Sequence, residues 1–285
     1  MNIFYSCPYW GSESLPPEIF INKAIGDGYN GVELLLQPPD ELSNQFMSAI
    51  DTAKKVNSDF YFIALQLVFP AKESVSDYIK KMEHNLATIS SLNPLFINSH
   101  TGKDYYSFDD NCRVIEAAMN FSVKNNVRIL HETHRSRFAF HTATLLPYLQ
   151  KFPEMELTGD LSHFCVVSES MLEDQEEILE KIFPHISHLH ARVGYEQGPQ
   201  VNDPKAPEWN AHVNRFINWW QEIIALKQKV GQQVFTITPE FGPFPYMPVL
   251  PFTQEPTSLQ WDNNLFIKKL MQNKFIYQPT VETVS

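Results

Sequence analysis

The chain is poor in cysteine. Its three, Cys7, Cys112 and Cys165, are scattered and form no C-x-x-C pair, which argues against a disulfide framework and a thiolate zinc knuckle alike. Reduced, buried thiols are expected. Long apolar runs are missing too: no segment approaches the ~20 apolar residues that span a bilayer. The opening Met-Asn-Ile-Phe-Tyr-Ser-Cys lacks a basic region followed by a signal-type apolar core, so the expectation is a soluble, cytoplasmic protein with no membrane partner. Positive charge is also short, with 22 Lys and Arg against 33 Asp and Glu and a formal net charge of −11. A nucleic-acid surface needs a basic field to gain from counterion release; nucleic acid is therefore not an expected partner, whereas a small neutral or metal-bridged substrate is admissible. No G-x-G-x-x-G opens a helical stretch, so a dinucleotide site has no support.

What is present is a repeated alternation of β-rich and helix-like stretches. Apolar, β-branched runs fall at 2–7, 31–36, 60–68, 95–99, 127–133, 156–162, 186–193 and 234–239. Amphipathic stretches follow at 17–25, 41–56, 75–92, 111–124, 142–150, 171–182, 211–229 and 257–271. Asp40 and Asp110 are placed to cap two of these helices. Eight βα units in 285 residues predict an α/β fold, a (β/α)₈ TIM barrel in a single domain, 1–285; an open doubly wound sheet is the alternative. Two connections are unusually long, 194–209 after the seventh strand and 241–256 after the eighth, and in a barrel these belong to the active-site face.

Barrel chemistry sits where strands end, and four successive strands end in ionisable residues: Arg-Ile-Leu-His-Glu-Thr-His, Leu-Thr-Gly-Asp-Leu-Ser-His, His-Ile-Ser-His-Leu-His-Ala-Arg and Thr-Ile-Thr-Pro-Glu-Phe-Gly. Alternation along a strand puts Glu132 and His134 on one face and His131 on the other, and puts His188, His190 and Arg192 together. Carboxylates that converge from several strands repel one another unless a cation neutralises them. Glu132, Asp160, His190 and Glu240 are thus candidate ligands of one divalent metal. A ligand set of carboxylate and imidazole without thiolate suits Mn²⁺ or Zn²⁺, ahead of Mg²⁺ or Co²⁺.

These motifs, with Gly-Tyr-Asn-Gly-Val-Glu at the second strand, Asp160-Leu-Ser-His163, His190-Ala-Arg192 and Pro-Glu240-Phe-Gly, resemble the xylose-isomerase-like barrels, which include sugar (phosphate) isomerases and epimerases of the D-tagatose 3-epimerase type. The resemblance spans nearly the whole chain. It implies that Glu132, Asp160, His190 and Glu240 hold the metal, that Glu132 and Glu240 are also the catalytic acid/base pair, and that His163 and Arg192 contact substrate. The implied function is a metal-dependent isomerase or epimerase of a sugar or related polyol, acting by carboxylate-mediated proton transfer through a metal-stabilised enediolate. The Gly198–Pro204 insertion and the Pro-rich stretch after Glu240 depart from the pattern and leave the sugar, and whether it is phosphorylated, open.

Other residues carry weaker expectations. His100 is a further candidate substrate contact. His188 suits the role of orienting a ligand, and His131 and His134 could simply pack. Glu33 is placed to pair with a cation such as Arg192. Trp209, Trp219 and Trp220 read as core, and Tyr195, Phe241 and Tyr246 as a hydrophobic wall; Arg192 and Lys103 would permit a phosphate. Three rival functions remain: a keto-inositol-type dehydratase on the same site, a phosphodiesterase of endonuclease IV type, and a sugar-binding protein with a vestigial site. The phosphodiesterase would need extra histidines on the second and third strands, and 34–37 and 66–69 have none. A homodimer is one option for the oligomeric state.

Overall fold

A computed structural model describes residues 1–275; the last ten positions of the expected 1–285 domain lie outside the described residues. Strands β1 (Asn2–Pro8), β2 (Gly31–Leu34), β3 (Tyr61–Leu67), β4 (Ile97–His100), β5 (Ile129–Glu132), β6 (Leu157–Gly159), β7 (Ile186–Ala191) and β8 (Val234–Pro239) are all parallel neighbours in chain order. β1 pairs with β8, Asn2 opposite Val234, and closes the barrel. The outer helices are α1 (Pro17–Gly26), α2 (Glu41–Val56), α3 (Val75–Ser90), α4 (Phe108–Asn125), α5 (Thr142–Lys151), α6 (Ser162–Ser168), α7 (Glu176–Ile182), α8 (Asn210–Lys229) and α9 (Gln260–Phe275). None of the described helices is long and apolar enough to cross a membrane.

Side-chain caps set the starts of α2, α3 and α4. Asp40 caps α2 as expected, accepting from the Ser43 N–H at 2.6 Å. Asp110 does not cap α4. That helix starts a residue triplet earlier, at the Ser107 cap, whose Oγ accepts from the Asp110 N–H and donates to its carboxylate. Asp110 is the third helical residue of a reciprocal box. The larger discrepancy follows β6. The chain turns into α6 at once, so the strand stops at Gly159 instead of 162, and the helix expected at 171–182 is confined to Glu176–Ile182. Positive φ at Glu169 and Leu172 breaks the two helices apart, a feature that apolar periodicity does not encode.

The main core lies between sheet and helices and includes the buried Trp219 and Trp220 of α8. A second, small cluster of Tyr61, Ile63, Phe96 and Leu130, with Phe4 beside it, fills the barrel interior. That plug makes the barrel a packed core, so within the barrel itself ligand-sized space is left only at the mouth. Strand alternation then dictates what reaches the mouth above the plug: the positions two and four residues beyond each plug residue.

Candidate metal centre

Glu132 at the end of β5, Asp160 just past β6, His190 of β7 and Glu240 just past β8 each offer one ligand atom, and these atoms lie within 4.8 Å of one another. The structure thus brings together the four candidate ligands. Asp160, His190 and Glu132 are at most 2% exposed, so their charges meet little water. Each occupies an inward position of its strand, and the parallel register sets the four strand ends side by side.

His190 is held from behind by Glu33 of β2. Its Nε2 lies 3.0 Å from Glu33 Oε1, while the other Glu33 oxygen accepts from the Thr238 hydroxyl at 2.6 Å. A carboxylate on Nε2 fixes the proton there and leaves Nδ1 as the free lone pair. Nδ1 lies 2.9 Å from Glu240 Oε2 and 3.7 Å from Glu132 Oε1. It nevertheless has no hydrogen-bond partner among the described residues: the carboxylate is close, but out of line. A buried lone pair aimed between carboxylates is a donor arranged for a cation, and the residues present fit a divalent metal. Asn98, one layer into β4, joins the two acidic groups by donating to Glu132 at 2.7 Å and to Glu33 at 3.2 Å. His188, deeper still, uses Nδ1 on the Thr236 hydroxyl and carbonyl and sets Nε2 3.6 Å from Glu33, the orienting position expected of it.

Glu33 does not pair with Arg192, contrary to expectation, because the imidazoles of β7 stand between them in the layer. Arg192 instead forms a buried ion pair with Asp160 and lies 3.6 Å from Glu240. Its NH2 also meets His163 Nε2 at 3.1 Å. Asp160 uses its second oxygen on the backbone N–H of Ser162 at 3.1 Å, so it also tethers the start of α6. His100 Nε2 lies 2.9 Å from Glu132 Oε2, and the rings of His100, His134 and His163 lie in a row, tilted against one another, with centroids 4.6 and 3.9 Å apart. Tyr246 closes this row, its hydroxyl 3.5 Å from His134 Nε2 and its ring under the Arg192 guanidinium.

Burial drives the titration of the centre. It pushes the Asp160 carboxyl up to about 6 despite Arg192, and it holds His163 and His134 well below the usual imidazole range. For Glu132 burial acts upward as well, but His100 and His190 outweigh it and keep the carboxylate ionised. The carboxylates of Glu240, Glu33 and Glu132 reverse the effect of burial on His190 and raise it well above its ordinary value. The proton that these carboxylates favour on His190 Nδ1 occupies the place a divalent cation would take; with that proton gone, the carboxylates of Glu33, Glu132, Asp160 and Glu240 face only the Arg192 guanidinium, and a divalent ion offsets the surplus negative charge in this water-poor volume.

A cavity of about 340 Å³ opens above these groups, and His100, Glu132, His134, Arg192, Glu240 and Tyr246 line it. His163 lies just behind, fully buried. Three expected contributors are elsewhere. Phe241 is fully buried, Tyr195 packs on Trp209 at 5.1 Å, and Lys103 is buried with its ammonium over the Tyr78 ring. Of the two long connections, 241–256 reaches the cavity through Tyr246, while 194–209 buttresses it: Gln200 exchanges two hydrogen bonds with the Gly242 backbone. Asn98 and Trp10 escaped the sequence reading. Asn98 shares the face of His100 two residues on, a signal available in the alternation; Trp10 lies beyond the end of β1, where no pattern marks it.

No protein-family model and no curated protein sequence matches the chain. Solved structures do. The probable 3-DHS dehydratase AsbF of Bacillus anthracis, involved in petrobactin synthesis, is 14% identical with TM-score 0.58, and the match covers 98% of this chain and all of that one. A xylose isomerase-like TIM barrel protein from Mycobacterium smegmatis, in complex with magnesium, is 10% identical with TM-score 0.58 over 94% and 96% of the two chains. The fold is that of the xylose isomerase-like barrels. The 3-keto-D-glucoside 4-epimerase YcjR of E. coli shares it too, at 9% identity and TM-score 0.57, covering 95% of this chain and 100% of that one. At such identities the xylose isomerase-like likeness is one of architecture, and the chemistry has to be argued from the side chains.

Proposed function

We propose that the protein is a metal-dependent enzyme that moves a proton beside a carbonyl group of a small sugar-like or polyol substrate, an isomerase or epimerase. The convergence of Glu132, Asp160, His190 and Glu240 within 4.8 Å is the observation that carries this reading. When bound there, a divalent cation supplies Lewis-acid stabilisation of negative charge developing on adjacent substrate oxygens. Glu132, Asp160, Glu240 and Nδ1 of His190 would hold it. Mn²⁺ or Zn²⁺ suits this donor set, and Mg²⁺ or Co²⁺ is compatible with it.

The chain's own residues do the proton work. Glu132 and Glu240 project from strands on either side of β6 and β7 and both line the cavity, so a substrate carbon between them meets one carboxylate as base and the other as acid. Arg192 fixes Asp160 and reaches the mouth, where its guanidinium suits a substrate oxygen. His100 beside Glu132 is a further substrate contact, whereas His163, buried behind Arg192 and 3.1 Å from its guanidinium, positions that side chain instead of meeting the substrate. A dehydratase reading has one specific support: His100, which lines the cavity with its Nε2 2.9 Å from Glu132, is a further N–H group placed to hand a proton to a departing hydroxide.

Two measurements on the purified protein decide. Metal analysis is expected to return about one divalent ion per chain, and a panel of ketoses and inososes in D₂O is expected to show deuterium entering beside the carbonyl. Exchange without water loss supports isomerisation or epimerisation, and water loss supports dehydration. Protein that retains no metal and exchanges nothing would overturn both.

A further inference from the structure

The barrel mouth is chemically lopsided. On β4, β5, β7 and β8 the inward positions above the plug are Asn98 and His100, Glu132 and His134, His190 and Arg192, Thr238 and Glu240, and each of these strands lends at least one of them to the cavity. On β3 the same face runs Tyr61, Ile63, Leu65, Leu67: the first two belong to the plug, and the two leucines continue into the cavity. On β2 the inward position after Glu33 is Leu35, and at the end of β1 the wall is Pro8 and Trp10. Leu42, in the first turn of α2, completes this side. Leu35 and Leu42 are each 39% exposed, so this half is an open apolar surface contiguous with the buried acids.

Polar groups on that side are engaged. The neighbouring Gln66 points to the outer face, where its Oε1 accepts from Ser99 at 2.7 Å. The one cavity-lining acid of that side apart from Glu33 is Glu13, and both of its oxygens accept from the Gly11 N–H. A fully hydroxylated molecule laid across the mouth would therefore set several hydroxyls against leucine methyls, with the Glu13 carboxylate at the rim as the one charged acceptor near them, which costs binding. An apolar group there would gain by leaving water.

We propose that the substrate carries two unlike ends: a hydroxy-carbonyl head for the carboxylates and an apolar substituent, of about phenyl size, for Leu35, Leu42, Leu65, Leu67 and Trp10. The proposal rests on the reading of the acidic end given above and narrows its substrate class away from free monosaccharides. Specificity then sits in side chains of β1–β3 and α2 that contribute no group to the proton transfer.

A matched pair of ketones tests it. 2-Hydroxyacetophenone and hydroxyacetone share the head and differ by phenyl for methyl, and D-fructose represents the fully hydroxylated alternative. Calorimetric titration of the intact, metal-loaded protein is expected to show the phenyl ketone binding at least about tenfold tighter than either, since even one methylene in an apolar pocket is worth about tenfold or more. The gap is expected to collapse in Leu65→Asn with metal content unchanged. Should Leu65→Asn fail to fold, the half-exposed Leu42→Asn gives the same readout in smaller measure. Equal affinities, preference for fructose, no binding by any of the three, or a gap that survives the substitutions would overturn the proposal. Failure of the metal reading is distinguishable: it would appear as absent metal and absent exchange, with the phenyl preference still measurable in metal-free protein.

Discussion

Strands β1–β3 and β4–β8 face the same cavity from opposite sides, with the same alternation and the same depth, yet one side ends in leucines and the other in acids and imidazoles. The acidic side is buried, and its charged groups are tied to neighbours: Glu33 to His190 and Thr238, Asn98 to Glu132, Asp160 to Arg192. A change there leaves a charge without its partner in a water-poor site. The apolar side is held by packing alone and is partly open to water, so substitutions are cheap. Chemistry is thus lodged where geometry is over-determined, and choice of substrate where it is free to vary.

The largest expected effect separates the two sides outright. Glu240→Gln keeps the shape but removes a carboxylate, and kcat for proton exchange is expected to fall by about 10³-fold, or ~4 kcal/mol in the barrier; chelation of the metal should do at least as much. If Leu65→Asn reduced kcat equally, the division of labour would be wrong.

Acid should attack the polar side selectively, since β1–β3 contain no histidine. His131, on the outer face of β5 against Thr101, is pushed down to about 4 by burial. Its folded value lies below the unfolded one, so the neutral form favours the fold. That contribution is complete above about pH 6.5 and is lost as pH falls toward 4, where the unfolded chain binds a proton the folded chain refuses; integrated, it amounts to about 3 kcal/mol. Unfolding midpoints of His131→Gln measured from pH 7 to pH 4 are expected to fall less steeply than those of the native protein; parallel curves would show that His131 is not the group responsible.

Glu33 is the one acid that β2 lends to the opposite side, and it tests whether the boundary between them runs through that strand. In Glu33→Gln the proton on His190 Nε2 is no longer held by a carboxylate, and metal affinity is expected to drop ~10- to 100-fold in chelator competition. Unaltered affinity would make Glu33 a packing residue. The smallest effect is expected at Leu42→Asn, within ~0.5 kcal/mol of native stability in urea denaturation, because this leucine already meets solvent.

Much of this was legible along the chain. Eight apolar runs separated by amphipathic stretches specify the barrel, since burial on both faces of a parallel sheet demands near-continuous hydrophobicity. Ionisable residues at four strand ends break that demand conspicuously, which is why Glu132, Asp160, His190 and Glu240 stand out. The short helix after β6 did not stand out, because seven residues are too few to display a period. The partner of Glu33 was misassigned for another reason: strand parity says which side chains face the mouth, but it does not say which of them are in the same layer.

The order of residues alone determined the eight strands, the face each side chain takes and the kind of atoms available at the mouth, because alternation and hydrophobic pattern are local properties of a chain. Closure of the barrel decided the rest. It set Glu33 behind His190, joined Asp160 to Arg192, and laid Leu65 and Leu67 across from the acids, since distances between strands far apart in the chain exist only once the sheet has curled upon itself.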